Sequence, residues 1–164
     1  IDSWKMYWGE FREDWLAKYR EKFRGEERKM LRLFPDTVPT LDALCGAGVK
    51  TGLVSNRQFA RNPAEYLGIA DKFDVIIGLE DVTHAKPDPE PLLTALSRLG
   101  VEAAQAVYVG DTDIDMKTAA AAGVRGIGVT TGNFSAEQHL AAGAWRVCDS
   151  LAEAAALCGV EPRK

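Results

Sequence analysis

The sequence has few of the residues that mark disulfide frameworks and metal clusters. Its three cysteines, Cys45, Cys148 and Cys158, are odd in number and lack the spacing of a metal site, so we expect free thiols. Its two histidines, His84 and His139, have no ligand partners at metal spacing. We expect His139 to lie on the surface of a helix and His84 to belong to a loop. These shortages argue against a disulfide framework and against a cysteine–histidine metal site.

The sequence also lacks an excess of positive charge and any long apolar run. Its 20 basic and 24 acidic residues give a formal net charge of −4, and no basic cluster is long, which disfavours a nucleic-acid partner. No apolar run approaches the roughly 18 residues that a membrane span needs, and no signal-peptide pattern is present. We therefore expect a cytoplasmic chain of 164 residues that forms one domain with a small appendage.

The first part of the chain, residues 1–34, is rich in aromatic side chains. Steps of three and four residues place them along one helical face until Gly25 interrupts the pattern. This stripe consists of Trp4, Tyr7, Trp8, Phe11, Trp15, Tyr19 and Phe23. Such a stripe favours core packing between helices over contact with a substrate, although its rim is compatible with both. If helices that cover it are absent, exposed aromatics would favour self-association.

From Pro35 onward the pattern alternates between helix and strand. The predicted helices span residues 38–47, 58–68, 89–99, 113–122, 135–142 and 150–157. The predicted strands span residues 49–55, 74–78, 106–110, 125–129 and 145–148. Alternation of this kind indicates an α/β fold, a Rossmann-like parallel sheet with helices on both faces, over residues 35–164.

The most informative segment reads V-Y-V-G-D-T-D-I-D-M and spans residues 107–116. An apolar strand ends there at Gly110 and is followed by Asp111, Asp113 and Asp115. Carboxylates at the carboxyl end of a parallel strand lie where open α/β sheets bind ligands, and Mg²⁺ prefers carboxylate, phosphate and water oxygens. The simplest functional interpretation is a magnesium site built on Asp111 and Asp115. The alternative is that these acids only cap the next helix.

Two further segments place polar groups just beyond other strand-like runs. Residues 49–56 read V-K-T-G-L-V-S-N and end in Ser55 and Asn56, while residues 84–91 read H-A-K-P-D-P-E-P and present Lys86 in a stiff turn. A hydroxyl and an ammonium can hold phosphate oxygens while the acids hold the metal.

These three segments, in this order, resemble the haloacid dehalogenase superfamily over residues 35–158, and most closely its phosphoglycolate phosphatase-like branch. The resemblance implies a magnesium-dependent phosphomonoester hydrolase in which an aspartate attacks phosphorus and an aspartyl-phosphate is then hydrolysed. It implies catalytic roles for Lys86 and Ser55, phosphate binding by Ser55, Asn56 and Lys86, and metal binding by Asp111 and Asp115. The partner would be a small phosphorylated metabolite, and residues 1–34 would be the remnant of a helical cap.

The first motif of that family, D-x-D-x-T after an apolar strand, does not occur in the sequence. Asp2 has neither a preceding strand nor a second aspartate two residues later. We therefore expect an upstream segment to supply the nucleophile and this chain by itself to be inactive. We also expect a gap, or a substitute strand, in the sheet between the strands that end at Ser55 and Gly110. The alternative is a non-catalytic binding or scaffold domain that keeps the phosphate site, and the sequence leaves the substrate open.

Overall fold

The computed structural model of the protein describes residues 30–161. The chain forms two compact units, residues 1–32 and 33–164, and the described elements belong to the second. The predicted helical segment 1–34 and its aromatic stripe lie almost entirely outside the described residues. The cap remnant, its boundary and the self-association expected of it therefore stay predictions.

The second unit alternates helices and strands, as predicted. Its helices are α1 (Thr37–Gly46), α2 (Arg61–Tyr66), α3 (Glu90–Leu99), α4 (Asp113–Ala121), α5 (Ala136–Ala141) and α6 (Leu151–Leu157). Its strands are β1 (Gly52–Val54), β2 (Val75–Ile77), β3 (Val107–Gly110), β4 (Arg125–Val129) and β5 (Arg146–Cys148). Single 3-10 turns occur at Ala70–Lys72, Leu79–Asp81 and Ala103–Gln105. No helix in the described range is both long and apolar enough to cross a bilayer.

All strand pairs are parallel, and they form two groups. Strand β1 pairs with β2, from Gly52 opposite Val75 to Val54 opposite Ile77. The other group has the order β3–β4–β5. Within residues 30–161, β1 and β3 do not pair with each other, as the expected gap requires. A cavity of about 590 Å³ has residues of both strands, including Val54 and Tyr108, in its wall.

The core lies between the strands and the helices that pack on them. Helix α3 packs against β1 and β2, α4 against β3 and β4, and α6 against β4 and β5. Ile77 of β2 and Ile127 of β4 are fully buried. Burial of a side chain of this kind contributes roughly 1.5–3 kcal/mol. This packing explains why both strands are purely apolar at their centres.

Strand β1 is shorter than the predicted strand 49–55. Just before it, the Thr51 N–H donates to a carboxylate oxygen of Asp74 at 2.7 Å and not to a backbone carbonyl of a neighbouring strand. A side-chain acceptor that takes a backbone N–H competes with the regular strand ladder at that residue.

The expectation that His139 lies on a helix surface is wrong. His139 is on α5, but it is fully buried, and its Nε2 lies 3.2 Å from the carbonyl oxygen of Val129. Its neighbour on β4 is Gly128, where a Cβ would stand only 2.5 Å from His139 Cγ. The missing side chain of Gly128 makes the space that the imidazole fills.

We expect Gly128→Ala to destabilise the fold by about 2 kcal/mol, since forcing a methyl group into a packed core usually costs 1–3 kcal/mol. The matched control is Gly126→Ala on the same strand, where the first atom met is the flexible Met116 thioether at 3.0 Å. Urea unfolding of the full-length protein measures both. Equal stability losses in the two variants would contradict the proposed packing of His139.

Candidate active site at the carboxyl ends of the strands

Ser55 and Asn56 stand directly after β1 and begin a loop. The Ser55 N–H donates to the carbonyl of Ile77 at 3.0 Å, which extends the β1–β2 pairing by one bond. Its hydroxyl oxygen accepts the N–H of Arg57 at 3.2 Å. Strand pairing therefore fixes the backbone of Ser55, and the turn that follows orients its hydroxyl.

Asn56 ties this loop to the segment that carries Lys86. Its side-chain N–H₂ donates to the carbonyl of Lys86 at 3.0 Å, and its side-chain oxygen accepts the N–H of Lys86 at 2.9 Å. The peptide bond between Lys86 and Pro87 is cis. The Asn56 amide thus positions Lys86 from both sides, and its predicted contact with phosphate stays a prediction.

The Lys86 ammonium lies at the centre of the site. It donates to Asp115 Oδ1 at 2.7 Å and to the hydroxyl oxygen of Tyr108 at 2.9 Å, and it lies 3.4 Å from the carbonyl oxygen of Val54. The side chains of Lys86 and Asp115 are only 11% and 7% exposed. A pair this deeply buried is screened weakly by solvent, so each charge depends strongly on the other.

Asp115 combines a structural task with an electrostatic one. Its Oδ2 accepts hydrogen bonds from the N–H and the hydroxyl of Thr112, and the Thr112 oxygen in turn caps α4 by accepting the N–H of Asp115. This reciprocal capping box fixes the start of α4. Gly110 is required there because a Cβ at this position would collide with the Cβ of Asp115.

The hydroxyl of Tyr108 bonds to Asp115 and is influenced by the charges of both Asp115 and Asp111. Its hydroxyl donates to Asp115 Oδ1 at 3.1 Å. Burial is the largest cause that raises its pKa above the usual range, and the negative charges of Asp115 and Asp111 raise it further. The hydroxyl therefore stays protonated and acts as a fixed donor to the carboxylate.

Asp111 differs from Asp115 because its side chain is exposed. It lies against Gly132, where a Cβ would be 2.7 Å from Asp111 Oδ2. Asp113, between the two, pairs instead with Lys117 on the outer side of α4. A carboxylate with an exposed face beside a side-chain-free glycine fits the oxygen chemistry that a hard cation needs.

Glu90 braces the loop that presents Lys86. Its carboxylate accepts the N–H groups of Thr83 at 2.7 Å and His84 at 2.8 Å, and it pairs with the His84 ring. Donor atoms of His84, Asp88 and Glu90 all lie within 4.8 Å of one another. Because the bonds of Glu90 close the loop on itself, we interpret this group as a loop brace.

The structure brings most of the predicted site together. Lys86 and Asp115 are in contact, Asn56 holds Lys86, and Ser55 follows Val54, whose carbonyl lies beside the ammonium. Sequence reasoning missed Tyr108 as a partner of both charges. It also gave no sign that Gly132 borders Asp111.

The Lys86–Asp115 pair predicts a pH dependence of stability. Burial by itself raises the pKa of Asp115, but hydrogen bonds from Lys86 and Thr112 outweigh burial and hold this pKa below its usual range. A lowered folded-state pKa stabilises the fold above the ordinary carboxyl pKa of about 4, and this contribution is lost as the pH falls through the lowered value.

We therefore expect the stability difference between the wild type and Asp115→Asn to be largest near neutral pH and to shrink below about pH 4. Urea unfolding of the full-length protein at several pH values measures the difference. Asp113→Asn, which alters the exposed pair with Lys117, is the control and should change stability little at any pH. A difference that grows as the pH falls would contradict the assigned pairing.

Fold and site together define a class: a Rossmann-like α/β domain with a buried lysine–carboxylate pair and an exposed acid at the carboxyl ends of its strands. A family model described as haloacid dehalogenase-like hydrolase matches residues 3–129. The chain belongs to this family.

Two curated relatives of the chain are phosphoglycolate phosphatases. The phosphoglycolate phosphatase of Salmonella typhi is 42% identical over 120 residues, which cover 71% of this chain and 48% of that protein. The phosphoglycolate phosphatase of Escherichia coli K12 is 39% identical over the same shares. The crystal structure of a HAD phosphatase from Thermococcus onnurineus superposes with a TM-score of 0.75 at 31% identity, covering 88% of this chain and 66% of that one. The chain thus spans about half the length of the curated relatives it matches.

Proposed function

We propose that the full-length protein is a magnesium-dependent phosphomonoester hydrolase that acts on a small phosphorylated metabolite, with phosphoglycolate as the first candidate. The observation that carries this proposal is the buried Lys86–Asp115 pair. It lies beside the carbonyl of Val54, the residue before Ser55, and Asp111 is exposed four residues before Asp115. The similarity to two phosphoglycolate phosphatases supports the choice of the first substrate.

Each residue has a defined task in the proposed reaction. The Lys86 ammonium neutralises negative charge that collects on the phosphoryl oxygens, and the Ser55 hydroxyl donates to one of them. Asn56 keeps Lys86 in place through its two hydrogen bonds to the Lys86 backbone. Positioning and charge stabilisation of this kind supply most of the catalysis in phosphoryl transfer.

The donor set at this edge suits a magnesium ion. Asp111 is the direct ligand in this proposal because its carboxylate is exposed. Asp115 belongs to the same set and contributes mainly its charge, since both of its oxygens already accept hydrogen bonds. The bound ion would offset the charge of the phosphoryl oxygens. The D-x-D-x-T motif that would supply the attacking carboxylate does not occur in the sequence, so this chain by itself is proposed to be inactive.

Free thiols agree with the cytoplasmic location that we propose. Cys45, Cys148 and Cys158 are all unpaired. Such thiols persist in a reducing compartment.

A screen of phosphomonoesters with the full-length protein, with and without Mg²⁺, tests the proposed function. The panel contains phosphoglycolate, sugar phosphates, nucleotides and pyrophosphate. We expect magnesium-dependent phosphate release from at least one small monoester. Phosphate binding without release from any of them would favour the alternative, a non-catalytic domain that retains the phosphate site.

A further inference from the structure

The loop after β1 contains a backbone conformation that needs an explanation. Phe59 has φ = 57° and is the only residue other than glycine with a positive φ in the described part of the chain. Side chains with a Cβ disfavour this left-handed region, and a bulky residue is found there only when its surroundings hold it.

Glu80 supplies the holding contact. Its carboxylate accepts the N–H of Phe59 at 2.7 Å. The adjacent N–H of Leu79 donates to the carbonyl of Arg57 at 3.1 Å. The turn after β2 therefore holds the loop by two hydrogen bonds. Charge-assisted hydrogen bonds to a carboxylate are stronger than neutral ones.

Gly78 makes this contact possible. A Cβ on Gly78 would stand 2.6 Å from Glu80 Oε2, the oxygen that accepts the Phe59 N–H. The Glu80 carboxylate therefore occupies the volume that any other residue at position 78 would fill. The space beside Gly78, the carboxylate of Glu80 and the left-handed backbone of Phe59 therefore fit one another.

The loop after β1, held in this way, also carries the proposed phosphate-binding residues. The Arg57 N–H donates to the Ser55 hydroxyl oxygen, and the Arg57 carbonyl accepts from Leu79, so bonds link the start of the loop to the turn after β2. On the other side, Asn56 bonds to Lys86. The loop is thus fixed between Lys86 and Glu80.

We propose that Glu80 is a positioning residue: it holds Phe59 in the left-handed conformation and thereby sets the orientation in which Ser55 and Asn56 meet a phosphate group. This inference rests on the proposed function of the site. The positioning role also predicts a change in phosphate affinity that is opposite in sign to the change expected from the charge of Glu80 alone. A negative charge near an anion site weakens anion binding, so removal of Glu80 as a mere charge would tighten phosphate binding, whereas removal of Glu80 as a positioning group weakens it.

Three variants of the full-length protein separate these effects. Glu80→Ala removes the acceptor, Glu80→Gln removes the charge but keeps an acceptor oxygen, and Gly78→Ala displaces an intact Glu80. We expect Glu80→Ala and Gly78→Ala to raise the KM and the inhibition constant of inorganic phosphate by about tenfold, the size typical of a lost hydrogen bond to a charged group. Glu80→Gln should stay within about twofold of wild type. All constants are measured well below the melting temperature of each variant, so that a loss of stability is not mistaken for a loss of affinity.

A second change tests the backbone argument directly. Phe59→Gly introduced into Glu80→Ala removes the conformational penalty, because glycine adopts positive φ readily, and should recover much of the lost phosphate affinity. A tighter or unchanged inhibition constant in Glu80→Ala would overturn the positioning role. So would equal losses in Glu80→Ala and Glu80→Gln.

Binding of inorganic phosphate, followed by amide chemical shifts, judges this proposal separately from turnover. If the wild type binds phosphate but releases none from any ester, the proposed function fails, while the effect of Glu80 on binding still decides the positioning role. If the wild type does not bind phosphate, the positioning role is overturned as well.

Discussion

Lys86→Ala is expected to lower kcat and kcat/KM together by at least about 10²–10³, the range found when one preorganised electrostatic group is removed. The ammonium is held by Asp115 and Tyr108 at 2.7 and 2.9 Å and is largely shielded from water. The phosphate dianion already carries its charge when it binds, but its repulsion with the attacking carboxylate is greatest as the two approach in the transition state. Loss of the ammonium should therefore affect turnover more than substrate binding. Steady-state kinetics of the full-length protein measures both constants.

The control for this change is Lys117→Ala. Lys117 is exposed and pairs with partly exposed Asp113 on the outer side of α4, so it has the same charge without the buried partner. We expect its kinetics to match the wild type.

Lys86→Ala also leaves the buried Asp115 carboxylate without its ion pair, which can cost about 3–5 kcal/mol of stability. The folded state is therefore checked by circular dichroism, and Lys86→Ala combined with Asp115→Asn removes both charges. The double variant should regain stability but not turnover. Near wild-type turnover in either variant would contradict a catalytic role for Lys86 and leave it a purely structural partner of Asp115.

Asp111→Asn is expected to reduce magnesium-dependent turnover by at least about a thousandfold, because metal stabilisation of phosphoryl charge is worth several kcal/mol. The exposed Asp111 carboxylate borders Gly132, and the isosteric amide keeps this shape while it loses the charge. Phosphate release at saturating substrate, measured over a range of Mg²⁺ concentrations, gives both the rate and the apparent metal affinity.

Asp113→Asn is the matched control, since Asp113 lies two residues away at the start of the same helix and pairs with Lys117. Its magnesium dependence should equal that of the wild type. If Asp111→Asn kept its activity while Asp113→Asn lost it, the assignment of the metal ligand to Asp111 would be wrong.

Much of the fold could be predicted from apolar periodicity. The alternation of helices and strands, their order and the lack of pairing between the strands ending near Ser55 and Gly110 all agree with the structure. Strand ends were less predictable, because they depend on side-chain contacts such as Thr51 with Asp74. His139 was misplaced for a similar reason: only the tertiary contact with Gly128 shows that a polar ring is buried.

The residues of the site could be predicted from the sequence, but the contacts that each of them makes could not. Spacing in the sequence indicated Ser55, Asn56, Lys86, Asp111 and Asp115. The sequence did not show that Asn56 bonds to the Lys86 backbone or that the Lys86 ammonium donates to an oxygen of Asp115. Pairing between segments that lie about 30 residues apart depends on how strands and loops pack, which local patterns do not record.

The most direct test of the account is phosphate release by the full-length protein after removal of divalent metals with a chelator, using phosphoglycolate as the first substrate. We expect background release in the metal-free protein and recovery to full turnover as Mg²⁺ is added back. Undiminished release in the metal-free protein, or no release at any Mg²⁺ concentration from phosphoglycolate and the other monoesters, would contradict it.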